Sequence, residues 1–305
     1  MAVITDAEII ARREYLASTG SRRFIRFWAE FVRGRPLGAA GAALILLMVF
    51  AAIFAGVIAP YDPKSINFAD LLQGPSAKHL LGTDPFGRDV FSRLVFGART
   101  ALIVGFASSF VGCTAGLVVG VVSAYFGGRV DTLIQRLMDV LLSFPLIVIA
   151  IAVVAALGTG QDLTGNVIAA ITVPIIPRVA RVVRASALSV VRMPYIEATR
   201  SVGAGAIRIM FRHVVPNVFA PYLIMLTAFL GQAILLEASL SFLGLGVFEP
   251  EPSWGLMLRG AGMQFLEQAP WLAIAPGLAI SMAVFGFNLF GDSLRDALDP
   301  RLRTA

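Results

Sequence analysis

Chemistry needs convergent side chains, and this 305-residue chain brings few of them together. His79, Asp84 and Asp89 lie close in sequence, and a histidine with a carboxylate partner is the usual apparatus of general-base catalysis. Gly82, Gly87, Arg88 and Arg93 are interleaved with them, so the block reads instead as a compact, salt-bridged turn, with Thr83 inside it. Gly291-Asp-Ser-Leu294 imitates the box around a hydrolase serine. That nucleophile needs a histidine base beside it, and this box closes an apolar run far from both His79 and His213. Those are the only histidines, and no His-Glu-x-x-His occurs, which leaves no metal cluster to build. No Gly-x-x-x-x-Gly-Lys-Ser/Thr occurs either: Lys64 follows Pro63 and Lys78 follows Ala77, so phosphate binding by a P-loop is excluded. The single Cys113 sits in an apolar run, which rules out a disulfide framework and reads as a small packing residue.

The segment from Tyr195 to Asn217 carries a different kind of signal. Pro194 suits the first turn of a helix, where its missing N–H costs nothing. Glu197 follows in that turn, where a negative charge suits the helix dipole, with Ala198 next to it. Gly203, six residues after Glu197, permits a positive φ and so a sharp break. A second short helix is predicted over 206–213, running into an apolar segment that opens at Pro216. Arg200, Arg208 and Arg212 are spread along the unit. A loop that only joins two helices needs none of this; a loop that presents a short helix to a soluble partner needs most of it.

The elements that must position these segments are membrane spans. Apolar residues make up 57% of the chain, charged residues 14%, and the mean hydropathy is +0.81. A soluble chain of this size needs roughly a quarter charged residues to cover its surface, so this is an integral membrane protein. Apolar runs over 37–59, 100–125, 137–157, 163–182, 214–236 and 271–291 are each long enough to cross, the fourth despite Pro174 and Pro177. The fold class expected is all-α: a polytopic bundle of six transmembrane helices. Arginines crowd the N-terminal tail and the loop from Arg178 to Arg212, while 158–165 has no Lys or Arg and 237–270 has only Arg259. The positive-inside rule then puts both termini and the Arg-rich loop in the cytoplasm. Because the +6 charge is sorted by loop and not spread over one face, it does not point to nucleic acid.

Domain organisation follows: a cytoplasmic tail over 1–36, then a six-span unit over 37–303 with outer loops at 60–99 and 237–270 and a cytoplasmic loop at 183–213. In the tail, Phe24, Phe27, Trp28 and Phe31 share a helical face among arginines, the pattern of an interfacial helix on a lipid bilayer. Gly112, Gly116 and Gly120 make a ridge on which another helix can approach closely. Asp139 is an intramembrane carboxylate about one turn from Arg136, expected to pair with it or to face a translocation path; Gln232 and Asn288 are further path candidates.

Here the residues carry a resemblance. Glu197-Ala198, Gly203 and Pro216 resemble the EAA loop of bacterial ABC-importer permeases, with Thr199 in place of the third Ala and His213 and Val215 in the Ile and Leu positions. The block from His79 to Arg93 followed by Gly97 and Arg99, Phe144-Pro145, Pro252 to Met257, and the tail from Asn288 to Leu302 resemble the C-type subunit of the dipeptide/oligopeptide/nickel permease subfamily. The resemblance implies the type I importer permease fold in a bacterial inner membrane, and ATP-driven uptake of dipeptides or oligopeptides. Nickel chelates, glutathione-like compounds and oligosaccharides are the alternatives. It implies a second permease subunit, two cytoplasmic P-loop ATPases that carry the ATP and Mg, and an extracytoplasmic binding protein; this chain itself would hold no cofactor. Glu197, Ala198, Arg200, Gly203, Arg208, Arg212 and Pro216 would couple to the ATPase, and the block from His79 to Arg93 would close the outer mouth. An ion-driven transporter would show paired broken helices in two repeats and several intramembrane carboxylates, and a membrane hydrolase a convergent nucleophile and base; neither pattern is present.

Overall fold

The computed structural model describes residues 34–158 and 163–298, so the expected interfacial helix of the tail and the end of the C-terminal motif lie outside the described residues. Helix α1, Pro36–Ile53, starts with Pro at its first turn, where a fixed φ is pre-organised for helix. A further turn, Ala55–Ile58, continues it past a break at Phe54. Helix α2 is Val90–Phe126, opened by Asp89, whose carboxylate accepts the Ser92 N–H at 2.7 Å, and stopped by Gly127 at φ +62°. At 37 residues it is about 55 Å long, well beyond a hydrocarbon core of about 30 Å, so its ends project from the membrane. The outer loop expected over 60–99 is therefore helical in its last ten residues.

Helices α3, Gly128–Leu142, and α4, Leu146–Leu157, meet at 95°. The third span, expected as one run over 137–157, is thus a bent pair. Its corner is Phe144-Pro145, where Pro145 takes ψ 141° and cannot continue a helix. Helix α5, Leu163–Val191, by contrast carries Pro174 and Pro177 without interruption. After the short helix α6, Pro194–Ser201, come α7, Phe219–Leu243, and α8, Trp271–Leu298. Among the described residues, α1, α2, α5, α7 and α8 are each long and apolar enough to cross a membrane, and the α3–α4 pair brings the number to six when its two bent halves are counted as one span. The outward-facing apolar side chains, among them Leu46, Phe50, Ile103, Phe106, Phe110 and Phe285, fit a lipid solvent in place of water.

The bundle is built on close backbone approach. On α2, an added Cβ at Gly112 would lie 3.0 Å from Ile175 Cβ, at Gly116 2.6 Å from Val179 Cβ, and at Gly120 2.6 Å from the Ala180 carbonyl. The glycine ridge is therefore the seam between α2 and α5. Gly41 does the same for α1 on α8, with its virtual Cβ 2.7 Å from the Gly286 carbonyl. Two apolar cores result. One joins Cys113, Ile171, Ile175 and Val179 to Ile196 and Ile209 of the cytoplasmic loop. The other gathers Met48, Val90, Ile234, Trp254 and Phe287 toward the outer side.

Ion pairs fasten α3 across α5. Asp131 accepts from Arg184 Nε at 2.6 Å, and Asp139 pairs with Arg181. The expected partner of Asp139 was Arg136, one turn away on its own helix. A tertiary partner on α5 takes its place, and Asp139 is exposed at the helix surface.

Candidate coupling loop and outer ion-pair cluster

The segment after α5 folds as two helical pieces about a glycine. Pro194 occupies the first turn of α6 and Glu197 lies exposed in that same turn. Ile196, on the opposite side, is fully buried in the first core, which is worth about 2–3 kcal/mol and sets which face of α6 looks outward. Gly203 stands at φ +83°. Its N–H donates to the Arg200 carbonyl at 2.9 Å, and the Ala204 N–H donates to the Thr199 carbonyl at 3.2 Å. That pair of bonds is the Schellman closure, which requires the left-handed residue that glycine supplies. Gly205 then opens a second helical piece, Ala206–Ile209, which widens into a π-type turn at Met210–Val214 before Val215–Asn217. Pro216 sits in that last piece, where it has no N–H to return to the preceding turn, and the chain bends at Val218 to enter α7.

The predicted loop residues do not all face the same way. Glu197, Ala198, Arg208, Arg212 and Pro216 are exposed. Arg200 is exposed too, but its guanidinium lies over the ring of Tyr125 at the end of α2, 4.8 Å from the centroid. His213 sits near Tyr195, with ring centroids 6.2 Å apart, and its carbonyl accepts from Asn217 at 2.7 Å. Three apolar side chains, Val202 (84% exposed), Ile207 (71%) and Phe211 (64%), stand out from the loop. The charge count drew attention to the arginines and hid them; their signal was apolar residues stranded in a polar segment.

On the other side of the bundle the block from His79 to Arg93 is a compact turn, as its glycines and charges suggest. Gly82 and Gly87 have φ +72° and +69°, and a Cβ on Gly87 would fall 1.8 Å from the Asn67 carbonyl. Asp84 accepts the Phe86 and Arg88 N–H groups at 2.8 and 3.0 Å and Arg88 Nε at 2.6 Å. Asp89 caps α2 and lies 2.9 Å from His79 Nδ1. Thr83 accepts the Gln73 N–H at 2.8 Å and bonds the Asp70 carbonyl through its hydroxyl. Lys78, 2.7 Å from Asp70, holds that carboxyl below the usual range, and Lys78 itself is raised by the same bond.

Glu249, in the segment after α7, completes the cluster, and Glu237, within α7, braces that segment. Glu249 binds Arg88 and takes Arg93 Nη2 at 3.3 Å, while the other Arg93 nitrogen donates to the Pro63 carbonyl at 3.1 Å. Burial alone would lower Arg88, but its bonds to Glu249 and Asp84 outweigh it and the guanidinium is raised overall. Glu237, only 1% exposed near the outer end of α7, accepts both Ser241 Oγ and Ser253 Oγ at 2.8 Å and so ties the returning loop to its helix. Trp254 finishes the fit: its indole N–H donates to the Leu94 carbonyl at 2.9 Å and its ring lies on Gly97. Neither acid stood out in the sequence. Glu237 was visible as a carboxylate ending an apolar run, and Glu249 pairs with arginines 156 and 161 residues away, a distance no local pattern spans.

Two of the three path candidates are neighbours. Asn288, on α8, is exposed with its side chain near Gly231 of α7, and Gln232 is exposed next to that glycine. Asp139 lies apart from both, in its pair with Arg181.

Residues 116–304 match the family model described as binding-protein-dependent transport system inner membrane component, and residues 23–75 match the N-terminal TM domain of oligopeptide transport permease C. The chain is 42% identical to a di/tripeptide transport system permease protein of Pseudomonas aeruginosa, with 92% of each chain covered. It is also 42% identical to a glutathione transport system permease protein of Pectobacterium atrosepticum over 91% of each chain. A dipeptide transport system permease protein of Alkalihalophilus pseudofirmus is 41% identical over 90% of this chain and 88% of its own. Among solved structures, an inward-facing methionine ABC transporter superposes with a TM-score of 0.53 at 22% identity, over 68% of this chain and 97% of that one, a likeness of fold.

Proposed function

The chain belongs to the family of binding-protein-dependent transport inner membrane components, and from that premise we propose that it imports short peptides by coupling a partner ATPase to a gate on the outer face. It is a permease subunit of a bacterial ABC importer, residing in the inner membrane. ATP is hydrolysed on other subunits, since no P-loop exists in this sequence to bind it. A second permease completes the path, two ATPases dock below, and a binding protein delivers cargo from outside.

The observation that carries the coupling role is the hinged loop. Ile196 roots α6 in the core, Gly203 turns the chain, and Val202, Ile207 and Phe211 are exposed, as are Glu197, Arg208 and Arg212. An apolar patch rimmed by charge is the composition of a protein-docking surface. ATP binding to one state of the ATPase pair supplies the differential energy, and the spans follow in alternating access. At the outer face, Glu249 holding Arg88 and Arg93 is the closure that must yield when the binding protein docks.

Di/tripeptide, dipeptide and glutathione permeases stand at nearly equal identity, which supports a short peptide as cargo and leaves glutathione, itself a tripeptide, as the second reading. The test is reconstitution of the four-subunit complex in proteoliposomes with its binding protein. ATP-dependent uptake of labelled dialanine is expected to exceed that of labelled glutathione; the reverse order would replace the peptide reading with the glutathione one. Gly203→Val, a side chain that resists the positive φ of this site, is expected to insert normally and retain ATP hydrolysis while losing uptake. Full uptake by that variant would remove the coupling assignment.

A further inference from the structure

We propose that Arg200 and Tyr125 form the joint through which the coupling helix moves the second span, which makes Arg200 a positioning residue and not a contact to the ATPase. The inference rests on the coupling-loop reading and adds to it the internal route by which the motion leaves the loop.

Helix α6 is held to the bundle by two kinds of contact. Ile196 enters the first core, where its neighbours grip it from all sides without preferring one of them. Arg200 reaches laterally to the ring of Tyr125, 4.8 Å from its centroid, a contact that is directional because only the ring face carries the negative potential. The other side-chain bonds of α6 stay local: Thr199 to the Tyr195 carbonyl at 2.7 Å and Ser201 to the Glu197 carbonyl at 3.1 Å, with Tyr195 touching Asn217 at 3.3 Å. Among the described residues, Arg200 is thus the charged link from α6 to another spanning element.

Tyr125 is held by its packing and Arg200 by its backbone. Tyr125 is the penultimate residue of α2, packs against the first core, and meets the Phe126 ring edge-on at 5.3 Å. Arg200 occupies the last turn of α6, where a cation suits the helix dipole, and its carbonyl is bonded by the Gly203 N–H. A displacement of α6 therefore reaches α2 at its cytoplasmic tip. Arg208 and Arg212, exposed on the second helical piece, remain available to acidic groups of a partner.

The experiment uses the complete importer with its own ATPases and binding protein, in proteoliposomes. Tyr125→Phe keeps the ring face and Arg200→Lys keeps the cation; Tyr125→Leu keeps apolar bulk without a ring, and Arg200→Gln removes the charge. ATPase subunits retained on the affinity-purified permease report folding and docking, and ATP hydrolysed per peptide imported reports the joint. All four variants are expected to retain the ATPases as the wild type does. Phe and Lys should keep the wild-type ratio, while Leu and Gln should raise it about two- to fivefold, the change that loss of one exposed cation–π contact sets. The Leu/Gln double variant should be no worse than either single one, because both remove the same contact. A wild-type ratio in Tyr125→Leu and Arg200→Gln would overturn the proposal, and so would loss of the ATPases from Arg200→Gln alone. If the wild-type permease retained no ATPase, the coupling-loop reading itself would fall.

Discussion

Replacing Gly116 with alanine tests whether the α2–α5 seam is as tight as its geometry says. The new Cβ would meet Val179 Cβ at 2.6 Å and the Ile176 carbonyl at 2.9 Å. Carbon atoms rest about 3.5–4.0 Å apart, so the helices must part by roughly 1 Å. Overpacking of this kind costs about 1–3 kcal/mol, and backbone obstacles belong at the upper end because they have no rotamer to turn. Removing a helical glycine returns about 1 kcal/mol, for a net loss of about 2 kcal/mol. Gly277 calibrates the measurement, since no atom lies within 4 Å of its virtual Cβ. Gly277→Ala should be neutral or up to about 1 kcal/mol more stable. Cys113, the sole cysteine and fully buried one turn from Gly116, supplies the assay: maleimide labelling against temperature in lipid nanodiscs reads opening of the seam itself. Gly116→Ala should lower the labelling midpoint by about 4–8 °C. A midpoint equal to that of Gly277→Ala would refute the close-packed seam.

Three further outcomes follow from the same geometry. Glu237→Ala should lower that midpoint strongly, since the Ser241 and Ser253 hydroxyls lose their buried acceptor at about 1–3 kcal/mol each, whereas Glu237→Gln keeps an oxygen there and should stay close to wild type. Gly203→Val should impair uptake more than Gly203→Asn, because the site is spatially open and only the positive φ, about 1–2 kcal/mol for a side chain that resists it, discriminates between them. The Asp70–Lys78 clamp should have a wide pH window. Asp70 is lowered, so its contribution is present above the ordinary carboxylate pKa and lost as pH falls through the depressed value; Lys78 is raised, so its contribution is present below the ordinary lysine pKa and lost as pH rises through the elevated one. With His79 replaced by Gln, so that no imidazole lies beside Asp70 and Asp89, hydrogen exchange of residues 67–89 should therefore be flat in opening free energy from pH 5 to 9, within the limits set by the reference values of about 3.9 and 10.4. In Asp70→Asn it should be faster throughout that range.

Much of the architecture was legible because lipid imposes a simple rule on composition. The apolar runs and the glycine ridge could be read from residue type and spacing. The hinge was legible as well, since a glycine between a first-turn proline and a later proline has few other uses. What escaped was set by tertiary contact. The 95° corner at Phe144-Pro145 contrasts with the uninterrupted passage of Pro174 and Pro177 through α5, and both are X-Pro steps in apolar runs. The difference lies in neighbours, for α5 is pressed against α2 along its seam. The partner of Asp139 followed the same logic: the nearest arginine in sequence was on its own helix, but the docking of α3 across α5 brought Arg181 closer. Arg200 looked equivalent to Arg208 and Arg212 until the position of Tyr125 separated it from them.

The length of α2 has a mechanical consequence. One end is capped by Asp89 within the outer ion-pair cluster, and the other ends beneath Arg200. Between them run 37 residues without a proline, and the glycine seam with α5 at 112–120 clasps them nearer the Phe126 end than the Val90 end. A stiff rod held off its centre swings its tips in opposite senses and by unequal amounts. On the proposed coupling role such a beam is geared: a small stroke received at the Phe126 tip becomes a larger one of opposite sense at the Val90 tip. A rule that both faces never open together would then need no separate lock, because one piece of backbone cannot tilt two ways at once.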